Sequence, residues 1–132
     1  MENDMGVIAT NNRELNLYYN ADSSIGMQTL AFVQASKKKV LAVDLSKTKV
    51  TGTQWAELAN LLGIQIKDLI NTEHPDFIKL YGKDNDLEGD DDWIKVLQKN
   101  PSVVTQPILV NGSKAMQVNT PSDVMVFLDK ES

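Results

Sequence analysis

Two serines at the mouth of a helix are the first residues here with chemical content. Ser23 and Ser24 follow a polar loop, Asn20-Ala21-Asp22, and precede apolar Met27, Leu30, Ala31 and Val33 at helical spacing. Upstream, residues 13–19 read as a strand, with Leu15 and Leu17 alternating against Asn16 and Arg13. A strand that passes through a tight polar loop into a helix aims the first unpaired N–H groups of that helix at the loop. An anion or a thiolate is favoured there, and either serine suits the N-cap. For a serine to act as a nucleophile in that position it would need a positioned base. The single histidine, His74, is the only imidazole in the chain.

Composition narrows the chemistry further. There is no cysteine, so thiolate catalysis, disulfides and cysteine metal sites are excluded. Lys and Arg total 13, of which only Arg13 is arginine, so no mechanism with several guanidinium forks around an oxyanion can operate. A net charge of -5 argues against a nucleic-acid surface. The basic run Lys37-Lys38-Lys39 reads as a solvated helix end. His74, beside Glu73 and Asp76, lacks a second histidine and reads as a surface residue rather than a metal ligand. Asp84-Asn85-Asp86-Leu87-Glu88-Gly89 imitates the start of a calcium loop, but its twelfth position is Lys95 where a bidentate Glu is required. An acidic loop that caps the next helix is the better reading, and no metal or cofactor is expected. Trp55, Trp93, Phe77, Phe127 and the methionines are spaced for packing, and Tyr18, Tyr19 and Tyr81 have no partner that would make them catalytic.

The elements that must position the serines follow in order. Residues 1–11 are expected to form a flexible arm and 12–132 a single domain. Val40–Asp44 has the length of a buried strand, which completes a βαβ unit with parallel strands. Thr53 is expected to cap a helix over 54–62, with Gly63 closing it. Ile66, Leu69 and Ile70 resume a helical pattern, Pro75 opens a short helix that Gly82 ends, and residues 83–92 read as loop. Trp93–Leu97 returns to helical spacing, with Asp90 to Asp92 as its cap and Asn100-Pro101 as its stop. A helical insert is thus expected over about 64–100. Asn111-Gly112 between apolar runs predicts a hairpin with a type I′ turn. Thr120 and Pro121 open a last helix that buries Val124, Phe127 and Leu128. No stretch approaches the roughly 18 apolar residues of a membrane span, and the acidic start lacks the marks of a signal peptide, so a cytoplasmic location is expected.

Tyr18-x-Asn20-x-x-Ser23-Ser24 followed by Gln28-Thr29-Leu30-Ala31 resembles the active-site segment of the arsenate reductase/Spx family, a branch of the thioredoxin fold. Asn100-Pro101-Ser102 with Gln106-Pro107-Ile108-Leu109-Val110 resembles the family segment that holds its cis-proline, at the position of Pro107. Thr120-Pro121-Ser122-Asp123-Val124 resembles the start of the family's last helix. The resemblance implies an α/β, thioredoxin-like fold: a central mixed four-stranded sheet flanked by helices, with a helical insertion. It also implies that Ser23 stands at the nucleophilic cysteine, Ala21 at a proline, Gly26 at a second serine or cysteine, and Met27 at an arginine. The oxyanion-binding arginines correspond to Asn71, Gln106 and Asn119 or their neighbours. Nucleophile and cationic cradle are lost together.

Three functions of different class follow from the resemblance. One is a redox-inactive binding or regulatory module that takes a protein, a peptide or a small polar ligand on the Ser23/Pro107 face. Asn20, Ser23, Ser24, Asn71, Gln106, Pro107 and Asn119 are its candidate residues, with no catalytic residue among them. A second is an arsenate reductase or thiol–disulfide oxidoreductase, which the missing cysteine opposes. The third is an Spx-like regulator of RNA polymerase, for which neither redox switch nor basic face is available.

Overall fold

The computed structural model describes residues 14–36 and 38–131. The proposed N-terminal arm, Arg13 and Lys37 lie outside the described residues. Four strands form one sheet in the order β2-β1-β3-β4: β1 (Glu14–Tyr19), β2 (Lys39–Asp44), β3 (Ile108–Asn111) and β4 (Lys114–Gln117). β1 and β2 are parallel, in register from Glu14 opposite Lys39 to Tyr19 opposite Asp44, whereas β1–β3 and β3–β4 are antiparallel. The expected mixed four-stranded sheet is therefore present. Helices α1 (Ser24–Gln34), α2 (Gly52–Leu62), α3 (Pro75–Tyr81), α4 (Gly89–Lys99) and α5 (Asp123–Glu131) flank it.

Alternation along the strands divides the core in two. Leu15, Leu17 and Leu109 join Val33, Val118, Val124 and Phe127 under α1 and α5. Tyr18, Ile108 and Val110 turn to the other face, against Trp55, Leu58 and Phe77 of α2 and α3. Each fully buried leucine here contributes about 1.5–3 kcal/mol.

The two parallel strands exchange the burial that their sequences suggest. β1 reads as half-buried, yet it lies between β2 and β3, so Asn16 is only 1% exposed and Tyr18 is buried as well. β2 reads as a buried strand, yet it is the sheet edge, and Leu41 is 53% exposed. Alternation reports hydrophobicity and not neighbour order, which non-local pairing decides. In α1 the buried positions are Gly26, Thr29 and Val33, while Met27, Ala31 and Phe32 face solvent. α1 ends at Gln34, so Lys38 and Lys39 belong to the turn and to β2 and do not cap a helix.

Helix boundaries differ wherever two caps competed. α2 starts at Gly52 because Thr51, not Thr53, completes a capping box. Thr51 Oγ1 accepts from Gln54 N at 3.1 Å, and Gln54 Oε1 accepts from Thr51 N at 3.0 Å. Residues 66–69 form a 3₁₀ turn, and a second spans Pro101–Val103. α3 opens on Pro75 and stops at Gly82, as the sequence suggests. α4 begins at Gly89, which places Asp90 to Asp92 inside its first turn and not ahead of it. Asp92 Oδ2 accepts from Glu88 N at 3.0 Å. α5 begins at Asp123, after Thr120 and Pro121, because the Asp123 carboxylate accepts from the amides of Asn119 and Thr120 at 3.0 Å each.

In the hairpin, Asn111 is the last residue of β3 and pairs with Lys114, so the two-residue loop is Gly112-Ser113. Gly112 has φ 65°, and no non-glycine residue among those described has a positive φ. This is the arrangement of a type II′ turn, not the expected type I′. No cis peptide bond occurs among the described residues, so the bond before Pro107 is trans, in contrast to what the resemblance implies. No described helix is long and apolar enough to cross a membrane.

Candidate functional site

β1 delivers the loop Asn20–Ser23 to the start of α1, and backbone demand shapes it. Asn20 is 5% exposed. Its carbonyl accepts from Ser23 N and from Ser23 Oγ, both at 3.0 Å, and its Oδ1 accepts from Asp22 N at 3.2 Å. Ser23 Oγ in turn accepts from Gly26 N at 3.0 Å, which makes Ser23 the N-cap of α1. The serine hydroxyl thus spends its proton on a loop carbonyl and a lone pair on the helix. Gly26 is required by the same closeness: a Cβ there would lie 2.3 Å from the Asn20 oxygen and 2.7 Å from Ser23 Oγ.

Asp44, at the end of β2, fixes this loop from the side, a role its sequence context did not disclose. Its Oδ1 accepts from Ala21 N at 3.2 Å, Ser46 N at 3.0 Å and Ser46 Oγ at 2.8 Å. Burial pushes the Asp44 carboxyl upward, but the hydrogen bonds from Ser46 and Ala21, with Lys47 nearby, outweigh it and hold the group below its ordinary value.

A cleft of about 240 Å³ opens beside the loop, lined by Asn20, Asp22, Ser23, His74, Asp76 and Ser102, with Val104 and Thr105 behind them. Of the seven residues singled out from the sequence, Asn20 and Ser23 meet here. Ser24 is exposed on the first turn of α1, where its Oγ accepts from Gln28 Nε2 at 3.0 Å. Asn71 shapes the approach to α3: its amide donates to the Val103 carbonyl at 2.9 Å and its Oδ1 accepts from Glu73 N at 3.0 Å. Gln106 Nε2 donates to Asn119 Oδ1, so these two satisfy each other away from the cleft. Pro107 is buried, and its carbonyl accepts from Val118 N at 2.8 Å.

His74, Asp76 and Ser102 complete the opposite wall, the first two from the start of α3 and the third from the 3₁₀ turn after α4. The sequence signal for His74 was Pro75, which at the first position of a helix makes its predecessor the N-cap. His74 Nδ1 accepts from Asp76 N at 3.0 Å. That bond requires the Nδ1 lone pair, so the proton of the neutral imidazole resides on Nε2. Asp76 Oδ2 accepts from Ser102 Oγ at 2.7 Å and lies 3.9 Å from His74 Nδ1. Serine, histidine and aspartate therefore share one cleft without forming a triad. In a triad Nδ1–H donates to the carboxylate and Nε2 accepts from the serine; here Nδ1 is the acceptor, and no hydrogen bond joins Ser23 to His74 among the described residues. Tyr18 supplies no acid either: burial first, then Glu57, pushes its hydroxyl up to about 12.

A family model described as the ArsC family matches residues 13–125. The chain belongs to the ArsC family. Solved structures agree with this at the level of the fold. An arsenate reductase from Vibrio cholerae is similar with a TM-score of 0.75 and 18% identity, over 88% of this chain and 98% of that one. A Yersinia pestis protein provisionally named an arsenate reductase gives a TM-score of 0.75 at 25% identity, over 85% and 98% of the two chains. A possible arsenate reductase from Streptococcus mutans gives 0.68 at 19%, over 86% and 98%. No curated protein matches the sequence significantly. The fold is thus the thioredoxin-like fold of arsenate reductases, and this ArsC-family chain carries it without a cysteine. Among the described residues no group of three or more His, Asp or Glu side chains could hold a metal.

Proposed function

We propose that this ArsC-family chain is a thiol-free binding protein, redox-inactive, whose cleft between the starts of α1 and α3 takes a small polar ligand or one polar group of a peptide. The observation that carries the reading is the engagement of Ser23. Its hydroxyl donates to Asn20 O and caps Gly26 N, both at 3.0 Å, and the one histidine in the cleft uses its acceptor nitrogen on a backbone amide. The histidine is thus not placed as a base for the serine, and a sulfur nucleophile is absent from the chain.

The charge of the cleft supports a choice of ligand. Its lining carries two aspartates, Asp22 and Asp76, and no lysine or arginine. An oxyanion such as arsenate would meet these two carboxylates and no guanidinium or ammonium group. A ligand that presents donors, an ammonium or a primary amide, meets acceptors. A cleft of about 240 Å³ is smaller than the ~300–1,000 Å³ of drug-sized pockets, which suits one small group. The reductase reading draws on the names of the structural neighbours, and its chemistry requires the thiol that this chain lacks.

Titration monitored by amide NMR tests this with arsenate, phosphate, glutathione and n-butylammonium, beside a coupled arsenate-reduction assay with glutathione and glutaredoxin. The expected result is saturable shifts at Asn20–Ser23 and His74–Asp76 with n-butylammonium alone, and no turnover. Arsenate turnover by the wild-type chain, or arsenate binding at Ser23 in preference to the ammonium, overturns the reading. A Ser23→Cys variant tells whether the thiol alone was missing; without cationic cradle residues its turnover is expected to stay at background.

A further inference from the structure

A second concavity lies on the other βα loop, and the function proposed above does not use it. The segment after β2, Ser46-Lys47-Thr48-Lys49, forms one wall of a groove of about 800 Å³, and Gln98 and Lys99 at the end of α4 form the other. Leu45, Val50, Trp55, Leu97 and Pro101 make its apolar floor. It shares no lining residue with the Ser23 cleft, although the 3₁₀ turn Pro101–Val103 contributes Pro101 to one and Ser102 to the other.

Three observations bear on what the groove takes. The first is charge. Lys47, Lys49 and Lys99 line it and no acidic residue does, in a chain of net charge -5. Lys47 stands near Asp44, but neither Lys49 nor Lys99 has a carboxylate partner among the described residues. The second is an orphaned donor. Trp55 is 1% exposed, and its indole N–H has no hydrogen-bond partner among the described residues. Leaving such a donor unpaired costs about 1–3 kcal/mol, and buried polar groups are rarely left so without a ligand or water to satisfy them. The third is rigidity. α2 and α4 pack closely beside the groove, where a Cβ on Gly52 would lie 3.1 Å from Ile94 Cγ2 and 3.4 Å from Gln98 Nε2. The capping box of Thr51 and Gln54 fixes the wall between them.

We infer that this groove binds a small amphipathic anion: a carboxylate or phosphate head group held by Lys49 and Lys99, on an apolar body that rests against Leu45, Val50 and Trp55. The shared chemistry is the oxyanion on an apolar body; carboxylate and phosphate are distinguished by experiment.

Fluorescence titration of a Trp93→Phe variant, which leaves Trp55 as the single indole, reads the site directly. The probes are 4-phenylbutyrate, phenyl phosphate and the uncharged 4-phenyl-1-butanol. Saturable change with at least one anion is expected, with the alcohol about tenfold weaker or worse, since loss of one charge-assisted contact is worth about a factor of ten. A Lys49→Glu/Lys99→Glu double variant, with circular dichroism and melting to verify its fold, is expected to lose anion binding by more than about tenfold. Preference for 4-phenylbutyrate over phenyl phosphate, or the reverse, identifies the head group. Equal affinity for the alcohol, unchanged affinity in the folded double variant, or no saturation by either anion overturns the inference.

Discussion

The two loops that lead from parallel strands into helices occupy equivalent places in the βα units, and they have diverged in opposite directions. Asn20–Ser23, after β1, is short and tied by hydrogen bonds of its own, and it borders a cleft lined by two aspartates. The longer loop after β2, ending at Thr51, borders a wide groove lined by three lysines. Both helices begin on a hydroxyl that caps an amide, Ser23 to Gly26 N and Thr51 to Gln54 N. Helix-start amides alone therefore do not decide what a βα loop takes; the side chains set around them do. One carboxylate joins the two loops, since Asp44 Oδ1 accepts from Ala21 N in the first and from Ser46 in the second.

The largest expected break in the comparison is Gly26→Ala. A methyl group placed 2.3 Å from the Asn20 oxygen must push the loop from the helix, at about 1–3 kcal/mol of stability. Chemical denaturation is expected to show that loss, and an unchanged midpoint would mean the loop yields freely. Next come the two caps. Thr51→Ala is expected to cost about 1 kcal/mol, the usual loss for a capping hydroxyl. Ser23→Ala should cost more, toward about 2 kcal/mol, because the Ser23 hydroxyl also donates to Asn20 O. The order of these two midpoints is the measurement, and equal losses would deny the first loop its extra constraint.

The acid limb of stability separates the loops more finely. The folded Asp44 carboxyl titrates below its ordinary value of 3.8, so its contribution is complete above that value and disappears as pH falls through the lower folded value. Asp123, held down by the amides of Thr120 and Asn119, acts in the same direction. Wild-type melting temperature is expected to fall on acidification through that window, and Asp44→Asn should be less stable at neutral pH with a shallower acid limb. A parallel acid limb in the variant would place the titration elsewhere. The smallest effect is Lys49→Glu, whose side chain is exposed: folding stability should change by no more than about 0.5 kcal/mol. A larger loss would mean that the lysine supports the fold and is not held for a ligand.

Much of the fold could be read along the chain because its signals are local. The Ser23 cap, the Pro75 opening, Gly63 and Gly82 as stops, and the parallel β1–β2 pair all appear where short-range patterns put them. The candidate site was less legible. Asn20 and Ser23 are neighbours in sequence and meet in the cleft, whereas His74, Asp76 and Ser102 arrive from the helical segments and were not distinguishable from surface residues by type or spacing. Asn71, Gln106 and Asn119 hold their places in the family pattern, and each bonds another residue outside the cleft. Asp44 carries no such signal, because it accepts from Ala21, 23 residues away.

By itself, the sequence determined what chemistry is available. A chain without cysteine and with one arginine cannot perform thiol chemistry or build a guanidinium cradle, whatever its fold, since composition sets the inventory of reactive groups. It also determined the ArsC pattern across residues 13–125, because caps, turns and strand periodicity are short-range properties. Tertiary structure alone decided that β1 is central and β2 the edge, that Ser102 meets Asp76 in the cleft beside Ser23, and that three lysines line the Trp55 groove. Each of these depends on residues far apart in the chain being brought within hydrogen-bond or van der Waals range. No pattern over neighbouring residues encodes such distances; the packing of the whole core fixes them.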